Sequence, residues 1–371
     1  MPDRAPFVSR ILPHLANLTP YQAGKPLEEL ERELGLTGAI KLASNENPLG
    51  PSPLALAAIL ENLGSINRYP DSHAYYLKAD LSRHLGIEPQ QLILGNGSDE
   101  VLDMLVRALV PPGGEVLSTT HTFLMYGLLT QAVGGVFRPV PLKDLSLDLK
   151  AIARAVTPQT RLILLNNPNN PTGTAFYRDE FEEFLAAVPP EVTVVLDEAY
   201  IDFVDDPKVP SGLDYLSEDR ALVGLRTFSK AYGLAGLRIG YGFGPSRLMD
   251  YLNRLRLPFN VNRLAQVGAR AALKDTDFLK RTREVVLTGR AFLCRELARL
   301  GLKFLPTQAN YILIRLAHPG REVFQAMLRQ GVIIRAMDAY GLPDYIRVNV
   351  GLKEENQRFI KALEQVLGQA G

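Results

Sequence analysis

An α/β protein of two domains is what this sequence predicts, on three observations: its length, a repeated alternation of short apolar runs with amphipathic stretches, and a change of texture after about residue 246. A chain of 371 residues exceeds one ordinary core, because domains run about 100 to 200 residues each. From about residue 52 the alternation runs 91–95 (QLILG) then 98–110, 115–120 then 122–134, and 161–167 then 178–188. The apolar runs read as strands and the amphipathic stretches as helices, which implies a mostly parallel central sheet flanked by helices. Two further runs, 193–198 (TVVLDE) and 222–228 (LVGLRTF), are nearly unbroken in apolar or β-branched residues, as central strands are. Between about 246 and 301 the chain turns long and helical with few turn signals, and reads as the bridge out of the large domain. Beyond it, 310–316 (NYILIRL), 332–337 (VIIRAM), 345–351 (YIRVNVG) and a closing helix over 354–368 predict a smaller α+β domain. The first forty-odd residues, broken by Pro13, Pro20, Gly24 and Pro26 around one short helix, read as an arm. The expected division is an arm with part of the small domain at 1–45, a large domain at 46–260, and a small domain with its linking helix at 261–371.

Composition removes several classes of function. With 41 Lys+Arg against 40 Asp+Glu there is no net field to attract nucleic acid or an anionic membrane, so an anionic ligand must be met by a few placed cations. Cys294 stands alone, which excludes an internal disulfide and fits a reducing, cytoplasmic setting; the five histidines never fall at ligand spacing, so no metal site is expected. No segment stays apolar long enough to span a bilayer, and the start lacks the core of a secretion signal.

Four motifs carry chemistry. Gly95-Asn-Gly-Ser-Asp-Glu100 follows a predicted strand and opens a helix, so its amide N–H groups and the helix dipole face any anion placed there. A dinucleotide fingerprint would need a third glycine where Glu100 stands, which disfavours a dehydrogenase. Asn166-Asn-Pro-Asn-Asn-Pro-Thr-Gly173 is a proline-fixed, amide-rich loop at the carboxyl end of a central strand, where an open α/β sheet places its ligand. Asp197-Glu-Ala-Tyr200 ends an apolar strand in a carboxylate, and a desolvated acid is expensive unless it is paired, in the plainest case as a structural salt bridge or a cap. Thr227-Phe-Ser-Lys230, followed by Leu234-Ala-Gly-Leu-Arg238, puts an amine at another strand end beside hydroxyls and a guanidinium, as an amine meeting a phosphate-bearing ligand requires.

In order and spacing these motifs resemble the class I/II aminotransferases, fold-type I enzymes dependent on pyridoxal phosphate, and the likeness covers nearly the whole chain. The resemblance implies that Lys230 bonds covalently to the cofactor and that Asp197 pairs with its protonated ring nitrogen. It places Asn170 and Tyr200 at the phenolic oxygen, and Gly97, Ser98, Asp99, Thr227, Ser229 and Arg238 around the cofactor's phosphate side. It puts Phe123 on the ring face, although the family often has proline where His121 stands, and makes Tyr69 reach the cofactor of a second subunit, so a homodimer is expected. Leu18-Thr-Pro-Tyr-Gln22, Leu42-Ala-Ser-Asn-Glu-Asn-Pro-Leu-Gly50, Arg68-Tyr-Pro-Asp71 and the stretch from Val332 through Arg335 to Arg347 are more similar to the histidinol-phosphate aminotransferases than to their relatives. That likeness implies Tyr21, Asn47, Arg335 and Arg347 at the substrate, with histidinol phosphate and 2-oxoglutarate converted to imidazole acetol phosphate and glutamate. An aromatic amino-acid aminotransferase and a threonine-phosphate decarboxylase remain alternatives on the same scaffold. A non-catalytic regulator would need a DNA-binding module, for which the proline-broken arm is too short.

Overall fold

The computed structural model describes residues 8, 10–16, 18–21 and 24–368, so Gln22 of the arm motif lies outside the described residues. The strands in chain order are β1 (Ile40–Lys41), β2 (Leu92–Gly95), β3 (Glu115–Thr119), β4 (Val136–Val140), β5 (Thr160–Asn166), β6 (Thr193–Asp197), β7 (Leu222–Thr227) and β8 (Gly240–Phe243). They continue with β9 (Lys303–Phe304), β10 (Tyr311–Arg315), β11 (Val332–Ile333), β12 (Arg335–Ala336) and β13 (Tyr345–Asn349).

The large sheet has seven strands in the order β2-β8-β7-β6-β5-β3-β4. From β7 to β4 all neighbours are parallel, whereas β8 runs antiparallel to both β7 and β2. Every residue of β6 is buried, as its unbroken apolar run requires once helices cover both faces. At the other extreme β4 is an edge strand, where Pro139 costs no ladder bond on its open side. The helix Ser98–Leu109 buries Val101, Leu102, Met104, Leu105 and Val106 against this sheet. It approaches β8 closely enough that a Cβ on Gly240 would stand 2.3 Å from the Ser98 amide nitrogen, so this position has to be glycine.

The small domain is a four-stranded antiparallel sheet, β12-β13-β10-β9, under the helices Thr276–Arg299, Gly320–Arg329 and Lys353–Gly368. Leu293, Ile312, Ile314, Val348, Phe359 and Leu363 form its core. The single run 332–337 is split between two sheets: β11 pairs in parallel with β1, and β12 joins β13. The segment just before the large domain is thereby stitched into the small one. The expected boundary at 260/261 falls before the helix Arg263–Lys274, yet that helix packs Ala265, Ala269 and Ala272 into the large-domain cluster with Ala55, Leu77 and Leu81. Its run of small residues lets it lie close on the helix Pro53–Asn62, so the change of core falls further along, within Thr276–Arg299.

Candidate active site

The carboxyl ends of β5, β6 and β7 converge, with Asn166, Asp197 and Thr227 as their last residues. Above them lies a cavity of about 270 Å³ into which arm, large domain and small domain all project. Its lining includes Tyr21, Phe123, Asn170, Asp197, Tyr200 and Lys230, together with Gly97, Ser98, Asp99, Thr227, Ser229, Arg238, Arg335 and Arg347.

Asp197 is 6% exposed. Its Oδ2 accepts from the Tyr126 hydroxyl at 2.8 Å and its Oδ1 from the Ala199 amide at 3.2 Å, but no described cation pairs with it. Burial pushes its carboxyl up to about 6. The neighbouring acid met the opposite fate. Glu198 faces the other way, accepts from Arg226 Nε at 2.9 Å and from the Gly212 amide at 2.7 Å, and is a structural ion pair. Of two adjacent acids, only Asp197 is left buried and short of a positive partner on the cavity side.

Lys230 is part-buried, and desolvation, reinforced by the nearby Arg347, lowers its ammonium to about 8. Its Nζ donates to the Ser44 carbonyl at 3.2 Å and stands 5.9 Å from the centre of the Tyr200 ring. Tyr200 accepts at its hydroxyl from Asn45 Nδ2 at 2.9 Å, and burial raises its phenol against the pull of Arg347. Arg347, 5% exposed on β13, donates to Asn170 Oδ1 and to the Ala43 carbonyl at 2.9 Å, while among the described residues its buried Nε has no hydrogen-bond partner. An orphaned guanidinium N–H in so dry a place is a ready site for an anion. Arg335, on β12, lines the cavity beside Gly24.

At the opposite end, Gly97 has a φ of 81° and opens the Ser98 helix. A Cβ there would meet Arg238 Nη2 at 2.6 Å, so the glycine keeps open a cradle between the helix amides and the guanidinium. Arg238 is itself held at a left-handed φ of 57° and reaches Asp99 at 3.3 Å. Thr227 and Ser229 share a hydrogen bond at 3.0 Å on the same wall. A flat aromatic ring bearing a phosphate, a basic nitrogen and a carbonyl fits this set: a cradle for the phosphate, an acid that no described cation pairs with, and a part-buried amine.

A comparison of sequences matches residues 37–363 to the family described as aminotransferase class I and II. The chain belongs to that family. Among curated aminotransferases, it is 51% identical to histidinol-phosphate aminotransferase 1 of Nitrosococcus oceani over 350 residues, 94% of this chain and 95% of that one. It is 47% identical to histidinol-phosphate aminotransferase 2 of Pseudomonas aeruginosa, over 97% and 98% of the two chains. The crystal structure of histidinol-phosphate aminotransferase from Sinorhizobium meliloti, in complex with pyridoxal-5'-phosphate, superposes with a TM-score of 0.90 at 30% identity, covering 98% of this chain and 99% of that one. The fold-type I aminotransferase architecture expected from the motifs is therefore the architecture observed.

Two expected residues sit elsewhere. Asn47 does not line the cavity: its Nδ2 donates to the Ala231 carbonyl at 2.8 Å and to Thr282 Oγ1 at 3.2 Å, and its Oδ1 accepts from the Leu49 amide. The asparagine of that motif inside the aminotransferase cavity is Asn45, turned inward by a left-handed φ of 55°. Tyr69 is 78% exposed, stacked on Phe259 at 4.5 Å, and outside the cavity of its own chain. His121 explains its departure from the proline common in the family, since its φ of 49° is closed to proline. Its Nδ1 donates to the Tyr340 carbonyl, tying the Phe123 loop to the small domain. Sequence reasoning missed Asn45, Tyr126 and Tyr340; only the spacing of Tyr126 from Phe123, one helical turn, was there to be used.

Proposed function

We propose that this chain is a histidinol-phosphate aminotransferase using pyridoxal 5'-phosphate, exchanging an amino group between histidinol phosphate and 2-oxoglutarate. The observation that carries the reading is the pairing of a part-buried amine of lowered pKa at Lys230 with two arginines, Arg335 and Arg347, in one cavity. When bound, the cofactor supplies the carbonyl that takes up the amino group and an electron sink for the bond being broken. Lys230 Nζ would hold it and, once released by the incoming amine, move the proton at the substrate Cα, a role suited to an amine whose pKa lies near the working pH. Asp197 would keep the proton on the ring nitrogen, and Tyr200 and Asn170 would flank the phenolic oxygen. Gly97, Ser98, Asp99, Ser229 and Arg238 would hold the phosphate, with Phe123 against the ring. Arg347 would take the carboxylate of glutamate in one half-reaction and share the substrate phosphate with Arg335 in the other, with Tyr21 closing the pocket.

The test is single-turnover conversion by histidinol phosphate, histidinol, phenylalanine and glutamate. Each charge-assisted contact to the phosphate contributes about 1.5 to 3 kcal/mol, so histidinol phosphate should exceed histidinol by at least about tenfold. Arg335→Ala should erode that preference while sparing the glutamate half-reaction more than Arg347→Ala does. Equal rates for histidinol and its phosphate would overturn the assignment, phenylalanine as best donor would favour the aromatic alternative, and carbon dioxide from threonine phosphate the decarboxylase.

A homodimer is part of this reading. Leu60, Leu63, Ile66, Tyr69, Leu257 and Phe259 are exposed apolar side chains along the segments flanking the Tyr69–Phe259 stack, a concentration that water does not favour. Sedimentation is expected to give a particle of twice the 41.0 kDa chain mass, and a monomer at micromolar concentration would refute it. Among the described residues no helix is long and apolar enough to cross a membrane, and the lone cysteine supports a cytoplasmic setting.

A further inference from the structure

Tyr126 lies on the second residue of the helix Met125–Ala132, behind the wall of the cavity, and its side chain is fully buried. Among the described residues its hydroxyl has one hydrogen-bond partner, Asp197 Oδ2 at 2.8 Å. The other carboxylate oxygen is engaged by the Ala199 amide at 3.2 Å. One donor on each oxygen stops the carboxylate from turning about its terminal torsion, which is otherwise broad for aspartate. The Ala199 donor comes from the chain immediately following β6 and moves with it, so the phenol is the external brace. The Tyr126 ring also meets Phe123 edge-on, with centroids 5.7 Å apart at 87°. One side chain thus touches both the acid below the cavity and the aromatic that lines its face.

We infer that Tyr126 is a positioning residue of this active site: its hydroxyl orients the Asp197 carboxylate so that the acid presents a free lone pair to the ring nitrogen of the bound cofactor. The inference rests on the reading of Asp197 as that nitrogen's partner. No catalytic contact is assigned to Tyr126, whose hydroxyl has no exposure to the cavity. Replacing it by phenylalanine keeps the ring and its packing and removes one hydrogen bond. A brace on the acid should matter only to a ligand that engages the acid, whereas a merely structural tyrosine should affect all ligands of that shape alike.

The experiment compares apoprotein binding of pyridoxal 5'-phosphate with binding of its 1-deaza analogue, in which carbon replaces the ring nitrogen. For Tyr126→Phe, affinity for pyridoxal phosphate should fall about tenfold, the scale of a hydrogen bond to a charged group, with the affinity for the deaza analogue unchanged. Equal losses for both, or no loss for either, would overturn the inference. If the wild-type protein binds both ligands equally well, it is the role of Asp197 that fails. Because Tyr126→Phe strands a buried carboxylate and could misfold, the double variant Tyr126→Phe/Asp197→Ala provides a second measurement. It should show the same ratio of affinities as Asp197→Ala alone, and a further change in that ratio would mean the phenol acts by some route other than the acid.

Discussion

Lys230→Ala is expected to lower turnover by about 10⁴-fold or more, the upper end of what a positioned proton-transfer group contributes, because in the proposed function the amine both holds the cofactor and moves the proton. Borohydride treatment of the wild-type holoenzyme should leave the cofactor attached at Lys230, and recovery of the label on any other lysine would sink the assignment. The same amine is expected to burden the apoprotein. Its folded pKa of about 8 lies below the ordinary 10.5, so the unfolded chain binds the extra proton between those values and stability rises with pH across that window. The cost of burying the ammonium is therefore fully present below about pH 8 and fades towards 10.5. That gap corresponds to about 3 kcal/mol, so apo Lys230→Met should be more stable than wild type at pH 7 and lose the advantage near pH 10.5. A variant less stable at pH 7, measured by denaturant melts, would show that the amine is held by more than the Ser44 carbonyl.

Asp197→Ala should cost turnover about 10²-fold or more while still allowing the cofactor to bind, since the phosphate cradle proposed at Gly97, Ser98 and Arg238 is made of other residues of the cavity. Without the acid nothing holds a proton on the ring nitrogen, and the ring draws electrons less well. Burial holds the free acid at about 6, above its ordinary 3.8, with Asp99 and Glu198 adding to the rise and Tyr126 and the Ala199 amide opposing it. Below about pH 6 the carboxyl is protonated and must give up its proton to pair with a cationic ring. Cofactor affinity should accordingly fall as the pH drops through 6 in wild type, and not in Asp197→Ala. Near-normal turnover of that variant would make the acid structural, like Glu198.

The parts of the fold that could be read from the sequence were those whose local pattern and final environment agree. Strands β5, β6 and β7 are buried on both faces and are written as apolar runs; their last residues, placed by the sheet, include Asp197 and Thr227. Strand β8 was invisible because its Gly240-Tyr-Gly-Phe243 sequence answers to the helix packed on it, which leaves no room for a side chain at Gly240. The run 332–337 looks like one strand because burial continues through Ile334, where the chain passes from one sheet to another. Asn45 and Asn47 are two residues apart in one motif, and only a backbone φ of 55° decides which enters the cavity. Tyr126 reads as a core aromatic of its helix, with its partner 71 residues away.

The stitching of β1 to β11 puts the walls of the cavity on two separate folding pieces. Every residue assigned to this chain's cofactor, from Gly97 to Arg238, is carried by the large domain, whereas Tyr21, Arg335, Tyr340 and Arg347 come from the arm and from the small domain into which β1 is woven. In the proposed function, chemistry and choice of substrate thus fall to separate pieces of one polypeptide. On that reading, a chimera that exchanged the arm and the segment beyond the helix Thr276–Arg299 would keep the apparatus for moving an amino group and acquire a different taste in donors.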